Sequence, residues 1–125
     1  LHTLILTATN ITDCGLEHLN GLSQLRTLEL NATEVTDTGL QCLKHLSELR
    51  ELGLDYTPIT DAGMEHLKGL NRLERLGLSG TRVTDAGLKC LKALSQLHML
   101  ALSNTEVTAA GVQDLRKAVP KLHVY

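Results

Sequence analysis

The chain has 125 residues, a formal net charge of −2 and an aromatic content of 2%, without Phe or Trp. Interleaved acidic and basic residues disfavour nucleic acid and anionic membranes as partners, because both require a basic face. No apolar run approaches the roughly 18 residues needed to cross a bilayer, so a membrane span is not predicted.

A strand is predicted at the start of each of five copies of a 24-residue unit. The copies begin at Leu1, Leu25, Leu49, Leu73 and Leu97. They share the pattern L-x-x-L-x-L-x-x-T-x-V/I-T-D-x-G-L/M-x-x-L-x-x-L-x-x. Its first six positions alternate with the period of two that is typical of a strand with one buried face. A repeat of this length predicts a solenoid, in which each unit packs only on its neighbours.

A turn with a recurring threonine follows each predicted strand. Its hydroxyl can bond to loop amides and carbonyls that neither strand nor helix satisfies. The equivalent residues are Thr9, Thr33, Thr57, Thr81 and Thr105.

A short helix is predicted after this turn, beginning at the Thr-Asp-x-Gly motif. In the second unit, either Thr36 or Asp37 can accept hydrogen bonds from the first helical amides, and the sequence does not decide between them. Asp13, Asp37, Asp61 and Asp85 are therefore predicted to recur as helix caps. The glycine of the motif is predicted where a Cβ would collide with the adjoining unit. Leucines three residues apart then form one buried helical stripe.

The two ends of the chain differ from the repeat pattern. Ala109 replaces the aspartate, Pro120 stops the last helix, and residues 119–125 are predicted to form a half-repeat with a final short strand. The first unit begins at once, so six apolar residues are expected to face nothing on the N-terminal side: Leu1, Leu4, Leu6, Ile11, Leu16 and Leu19. This predicts that 1–125 is one repeat domain from the C-terminal part of a longer chain.

These motifs resemble those of the leucine-rich repeat family, whose strand pattern L-x-x-L-x-L-x-x-N/C-x-L is matched in all five units, with threonine in place of Asn or Cys. The variant is similar to the repeats of bacterial multi-repeat proteins and of F-box ubiquitin-ligase adaptors. The resemblance implies an α/β fold, a right-handed horseshoe-shaped solenoid with a concave parallel sheet and convex short helices. It also implies protein recognition.

The outward-facing residues of the strands form a predicted partner-binding surface. Parallel strands place equivalent residues side by side, and these positions vary between units while the scaffold positions do not. The predicted site surrounds a floor of Gly53, Gly77 and Ala101. Its residues are Glu51, Asp55, Tyr56, Arg75, Arg82 and Met99. Tyr and Arg are enriched at binding hot spots. The alternative is a solvated ladder with Glu51–Arg75 and Arg50–Glu74 ion pairs, which contribute little.

Neither a metal site nor an active site is predicted. A helical column of His18, Cys42, His66, Cys90 and Asp114 has metal-binding residue types, but neighbouring helices lie about 8–10 Å apart. A zinc ion needs its ligand atoms within about 2.3 Å. Cys42 and His45 lack a third orienting group and a pocket. We therefore expect no metal, no cofactor and no enzymatic activity.

Three functions are compatible with this sequence. The first is non-catalytic recognition of a protein partner on the concave face by a monomer. The second is the substrate-recognition part of a ubiquitin-ligase adaptor or effector enzyme, with the activity upstream. The third is a structural spacer or a scaffold that self-associates through its N-terminal edge. The odd count of three cysteines, Cys14, Cys42 and Cys90, favours a reducing, cytoplasmic location.

Overall fold

Six parallel strands form one sheet in the computed structural model, which describes all 125 residues. The strands follow one another in chain order across the sheet. They are β1 (Thr3–Ile5), β2 (Thr27–Glu29), β3 (Glu51–Gly53), β4 (Arg75–Gly77), β5 (Met99–Ala101) and β6 (His123–Val124). Each strand pairs with the next at an offset of 24 residues, as in Leu28 opposite Leu52. The α/β solenoid predicted from the 24-residue period is confirmed.

Short helices return the chain from each strand to the next. The α-helical segments are α1 (Asp13–Leu16), α2 (Asp61–Met64), α3 (Asp85–Leu88) and α4 (Ala109–Ala118). Segments of 3₁₀-helix occupy Glu17–Leu19, Gly39–His45, Glu65–Leu67 and Lys89–Ala93. Only α4 is longer than a single turn of regular α-helix. The tighter 3₁₀ geometry suits the other units, because each must cover one short strand before the chain turns back.

One continuous apolar core runs between the sheet and the helices. It consists mainly of the leucines of the repeat pattern, and most of them are completely buried. Leu16 and Leu19 of the first unit are also buried, because its helical segments pack on Gly39–His45 of the second unit. Leu1 and Ile5 do remain exposed, with 68% and 65% of their surface accessible.

The recurring threonine of the turn satisfies a backbone carbonyl of its own unit. Thr33 Oγ1 donates to the Leu30 carbonyl over 2.7 Å, and Thr57 and Thr81 make the equivalent bond over 2.6 Å. All three threonines are buried. The predicted hydroxyl ladder is therefore confirmed, and it closes each turn at the end of a strand.

The recurring aspartate joins neighbouring units, which corrects its predicted role as a helix cap. Asp61 Oδ1 accepts from the Thr84 amide over 2.7 Å, and Asp61 Oδ2 accepts from Thr84 Oγ1 over 2.6 Å. Thr84 in turn caps α3, because its Oγ1 accepts from the Ala86 amide. Asp61 is the first helical residue, so its carboxylate reaches the next unit. The same paired bonds join Asp13 to Thr36, Asp37 to Thr60 and Asp85 to Thr108.

The glycine of the Thr-Asp-x-Gly motif makes room for this aspartate. A Cβ placed on Gly63 would overlap Oδ1 of Asp37 in the preceding unit, and one on Gly87 would overlap Oδ1 of Asp61. Gly39 and Gly111 are in the same position relative to Asp13 and Asp85. The predicted collision is confirmed, and its partner is the carboxylate that binds the two units together.

The last helix and strand close the C-terminal end of the sheet. Thr108 Oγ1 accepts from the Gly111 amide and so caps α4. Beyond Pro120, β6 pairs in parallel with β5, and Leu122 is buried at 4% exposure. The Tyr125 amide donates to the Leu100 carbonyl, and the Tyr125 carbonyl accepts from the Leu102 amide. These bonds continue the ladder past the end of β6 and fix the backbone of the last residue.

Candidate partner-binding surface on the concave sheet

A shallow groove lies on the concave face of the sheet, where the outward-facing residues of neighbouring strands form columns. Glu51, Arg75 and Met99 stand side by side in register, as predicted. The next column contains Glu29, Gly53, Gly77 and Ala101. The groove has a volume of about 230 Å³ and is lined by residues from the second unit to the end of the chain.

Four of the six predicted site residues line this groove. Glu51, Asp55 and Met99 are half-buried in it, and Arg75 is exposed between them. Tyr56 and Arg82 are exposed but do not line the groove. Arg82 lies past the strands, where its amide donates to the Ile59 carbonyl over 2.9 Å. The structure therefore brings together Glu51, Asp55, Arg75 and Met99, with Tyr56 at the rim and Arg82 apart.

Besides the central leucines of the strands, two groove residues, Glu29 and Tyr125, lie outside the predicted site and its floor. Glu29 belongs to the same column as the predicted floor of Gly53, Gly77 and Ala101. The backbone of Tyr125 follows the β5–β6 pairing, which places it opposite Ala101 at the end of the same column. Both residues could have been identified from the sequence alone, because the column of Gly53, Gly77 and Ala101 extends by one strand in each direction. Tyr125 lies 24 residues after Ala101, so the period of the repeat includes it in the same column.

The glycines of the groove floor give space to side chains of the chain itself. A Cβ on Gly53 would overlap the Glu29 carboxylate and the Asn31 amide group, and one on Gly77 would lie 2.8 Å from Asp55 Oδ1. Asn31 Oδ1 accepts from the Asp55 amide, and Asp55 Oδ1 accepts from the Ser79 amide, each over 2.8 Å. Asp55 thus uses one oxygen to join two units, and its other oxygen faces no hydrogen-bond donor.

The acidic side of the groove has no cationic partner within the chain. Burial raises the pKa of Glu29 above its ordinary value, and the charges of Glu51 and Asp55 add to this effect, whereas the hydrogen bond from Asn31 opposes it. No ion pair joins Glu51 to Arg75, although they lie opposite each other in register. That predicted pair is wrong, because Arg75 is exposed and such pairs gain little over hydration.

The other predicted ion pair does form, just outside the groove. Arg50 Nη1 lies 3.8 Å from Glu74 Oε1, and both side chains are partly exposed. A pair at this distance and exposure contributes little to stability. It does neutralise Glu74, so the unpaired negative charge of the concave face is concentrated at Glu29, Glu51 and Asp55.

Tyr56 occupies a strained backbone position at the rim of the groove. Its φ of 58° lies in the left-handed region, which the equivalent residues Ala8, Ala32, Gly80 and Asn104 share. Its ring covers Gly80, where a Cβ would overlap the ring, and its hydroxyl is 3.3 Å from Asn104 Nδ2. A bulky residue rarely adopts this conformation, and 59% of the Tyr56 surface remains exposed.

The helical column of cysteine, histidine and carboxylate residues makes ordinary side-chain contacts. Cys90 Sγ donates to Glu65 Oε1 over 3.3 Å, and burial raises the pKa of the Cys90 thiol. Lys92 Nζ lies 2.7 Å from Asp114 Oδ2, and the hydrogen bond from Lys92 lowers the pKa of Asp114. Two members of the column thus bind partners outside it.

Comparison with known proteins places the repeats in a family. Models of the leucine-rich repeat match residues 1–59 and 70–92. The chain therefore belongs to the leucine-rich repeat family. No curated protein sequence matches it. None of its helices has the length and hydrophobicity that crossing a lipid bilayer requires.

Two internalins of Listeria monocytogenes str. 4b F2365 have similar structures. Internalin inlF superposes with a TM-score of 0.84 at 26% identity, over 99% of this chain and 34% of that one. Internalin C2 (inlC2) superposes with a TM-score of 0.63 at 22% identity, over 98% of this chain and 69% of that one, and shares the fold. The chain spans about a third of the length of inlF. Family and fold together identify a protein-interaction repeat module.

Proposed function

We propose that this chain recognises a protein partner on its concave face, without catalysis and as a monomer. The observation that carries the proposal is the groove itself, in which outward-facing side chains of neighbouring strands converge while three carboxylates lack a cation. The paired strands hold the backbone from which these side chains project before a partner arrives. Association then costs little additional conformational entropy.

The strained position of Tyr56 supports recognition at the same face. Left-handed backbone costs an L-residue roughly 1–2 kcal/mol, and Gly or Asn tolerates it better. Two other units have Gly80 and Asn104 at this position. An exposed tyrosine that costs stability is readily explained by a contact with a partner, because tyrosine is enriched at binding hot spots.

The proposed location is the cytoplasm. All three cysteines are free, and Cys14 is exposed to solvent. Unpaired, accessible thiols are typical of a reducing compartment. This supports the location independently of the groove.

A pull-down with matched variants tests the proposed binding face. The concave variant combines Glu51→Lys, Tyr56→Ala and Arg75→Glu. The control combines Glu17→Lys, His18→Ala and Arg116→Glu, which makes the same two charge reversals and removes one ring at exposed convex positions. Both variants must match the native chain in thermal stability.

We expect specific partners to be retained by the native chain and the convex control and lost with the concave variant. Binding of each retained protein is then measured with purified components, because a protein caught from a lysate can be indirect. Equal retention by all three chains would overturn recognition on the concave face. Loss with the convex control alone would assign the function to the helical side.

A further inference from the structure

The concave groove has two halves of different chemistry. The half nearer the N-terminus, at β2 and β3, carries the carboxylates of Glu29, Glu51 and Asp55. The half nearer the C-terminus, at β5 and β6, is lined by Met99, Ala101 and Tyr125. The two halves lie on different strands of the sheet. A partner that runs across the strands therefore contacts one half and then the other.

From these two halves we infer that the groove receives an extended peptide segment that carries a lysine or arginine and, about four residues away, an apolar residue. This inference rests on the proposed concave-face function and adds the chemistry of the partner. The cationic residue would lie over Glu29, Glu51 and Asp55. The apolar residue would lie on Met99, Ala101 and Tyr125.

The spacing comes from the geometry of the sheet. Adjacent strands lie about 4.8 Å apart, so three strand intervals between the centres of the two halves give about 14 Å. An extended peptide advances about 3.3 Å per residue, and about four residues therefore cover this distance. The segment lies across the strands, because both halves extend over neighbouring strands at equivalent positions.

Charge complementarity selects the cation. The three carboxylates have no salt bridge within the chain, and burial raises the pKa of Glu29, with a smaller contribution from the charges of Glu51 and Asp55. A partner cation would relieve the repulsion between these charges. Arg75 stands exposed between the two halves and disfavours a second cation there. The segment is therefore oriented with its basic residue towards β2.

Selection from a phage-displayed library of random ten-residue segments tests this inference. On the native chain we expect enrichment of segments with Lys or Arg separated by about four positions from Leu, Ile, Met, Phe or Tyr. The variant that combines Glu29→Gln and Glu51→Gln removes charge while keeping the acceptor oxygen for Asn31. It should lose the basic preference and keep the apolar one. The variant that combines Glu17→Gln and Glu34→Gln is the matched control, because both residues are exposed outside the groove, and it should keep both preferences.

A selected peptide, made synthetically, gives the quantitative result. We expect its Kd to rise about fivefold with the Glu29→Gln and Glu51→Gln variant at low salt. This difference should shrink at about 0.5 M salt, where screening weakens charge pairs. The control with Glu17→Gln and Glu34→Gln should bind as tightly as the native chain.

Three other results would overturn the inference, and they differ in what they mean for the proposed function. Enriched segments of another chemistry that still require Glu51, Tyr56 or Arg75 would refute the basic–apolar partner and leave concave-face recognition intact. Enrichment that survives in the variant with Glu51→Lys, Tyr56→Ala and Arg75→Glu would refute both the basic–apolar partner and concave-face recognition. A native chain that enriches no segment would refute peptide binding and leave the concave face to a folded partner surface.

Discussion

At the scale of single residues, the stack depends on pairs formed between units by aspartate and glycine. Each motif aspartate accepts two hydrogen bonds from the threonine that begins the Thr-Asp-x-Gly motif of the next unit. The glycine of that same motif leaves the space that the carboxylate occupies. Glycine normally destabilises a helix relative to alanine. Here the absence of a side chain is required, because the neighbouring carboxylate already fills that space.

The substitution Gly63→Ala should therefore destabilise the chain by about 1–3 kcal/mol, as overpacking does. Gly69→Ala is the matched control, because no atom lies within 4 Å of its Cβ position, and it should change stability by less than about 0.5 kcal/mol. Urea denaturation provides both values. In an Asp37→Ala background the cost of Gly63→Ala should fall by about 1 kcal/mol. Additive effects would show that the carboxylate does not set the cost.

At the scale of elements, α4 is joined to its neighbour by the same paired hydrogen bonds that join the other units. Its cap, Thr108, donates from both its amide and its hydroxyl to Asp85, so each carboxylate oxygen of Asp85 accepts one hydrogen bond. These hydrogen bonds lower the pKa of Asp85 below its ordinary value of 3.8, with the side-chain bond as the larger cause. The attachment of α4 is therefore dependent on pH.

The sign of this dependence follows from proton binding. The unfolded chain takes up a proton at Asp85 before the folded chain does, so the stabilisation is complete above the ordinary pKa of 3.8 and is lost as pH falls through the lower folded value. We expect Asp85→Asn to be less stable than the native chain at neutral pH. Urea unfolding from about pH 6 to pH 2 should show the difference shrinking below about pH 4. A difference that stays constant over this range would contradict the role of the charged carboxylate.

The 24-residue period was sufficient to predict the strands, their order and their register, because equivalent residues of a parallel stack must lie side by side. It also predicted the columns in which Glu51, Arg75 and Met99 meet. The role of Asp61 was not predictable in this way, because it depends on which direction a side chain leaves a one-turn helix. Tyr56 could be recognised as exposed, but its left-handed backbone and its position over Gly80 are properties of the folded turn.

At the scale of the whole molecule, strand pairing and helix packing are confined to neighbouring units, whereas the side-chain contact from Asn104 to Tyr56 crosses one unit. Each strand pairs only with the strands before and after it, and the helical segments likewise contact those of adjacent units. The stability of such a stack is approximately a sum of unit and nearest-neighbour terms. The same substitution should therefore cost more in a central unit than in the first one.

Leu52 and Leu4 provide a matched pair for this test, because each is the central residue of its strand. Leu52 is flanked by Leu28 and Leu76 and is 2% exposed, whereas Leu4 has only Leu28 beside it and is half-buried. Leu52→Ala should lower the free energy of unfolding by about 3 kcal/mol, within the range for a buried leucine. Leu4→Ala should cost about half as much, since it loses contacts on one side only.

Urea denaturation of both variants measures these costs, with an unchanged m-value as the check that the same surface unfolds. Equal costs would show that the first unit is supported as fully as the third, which a sum of nearest-neighbour terms does not allow. A lower m-value for Leu52→Ala would indicate that the stack separates at the third unit into two parts that unfold independently. That outcome would place the weakest coupling between units directly beneath the concave groove.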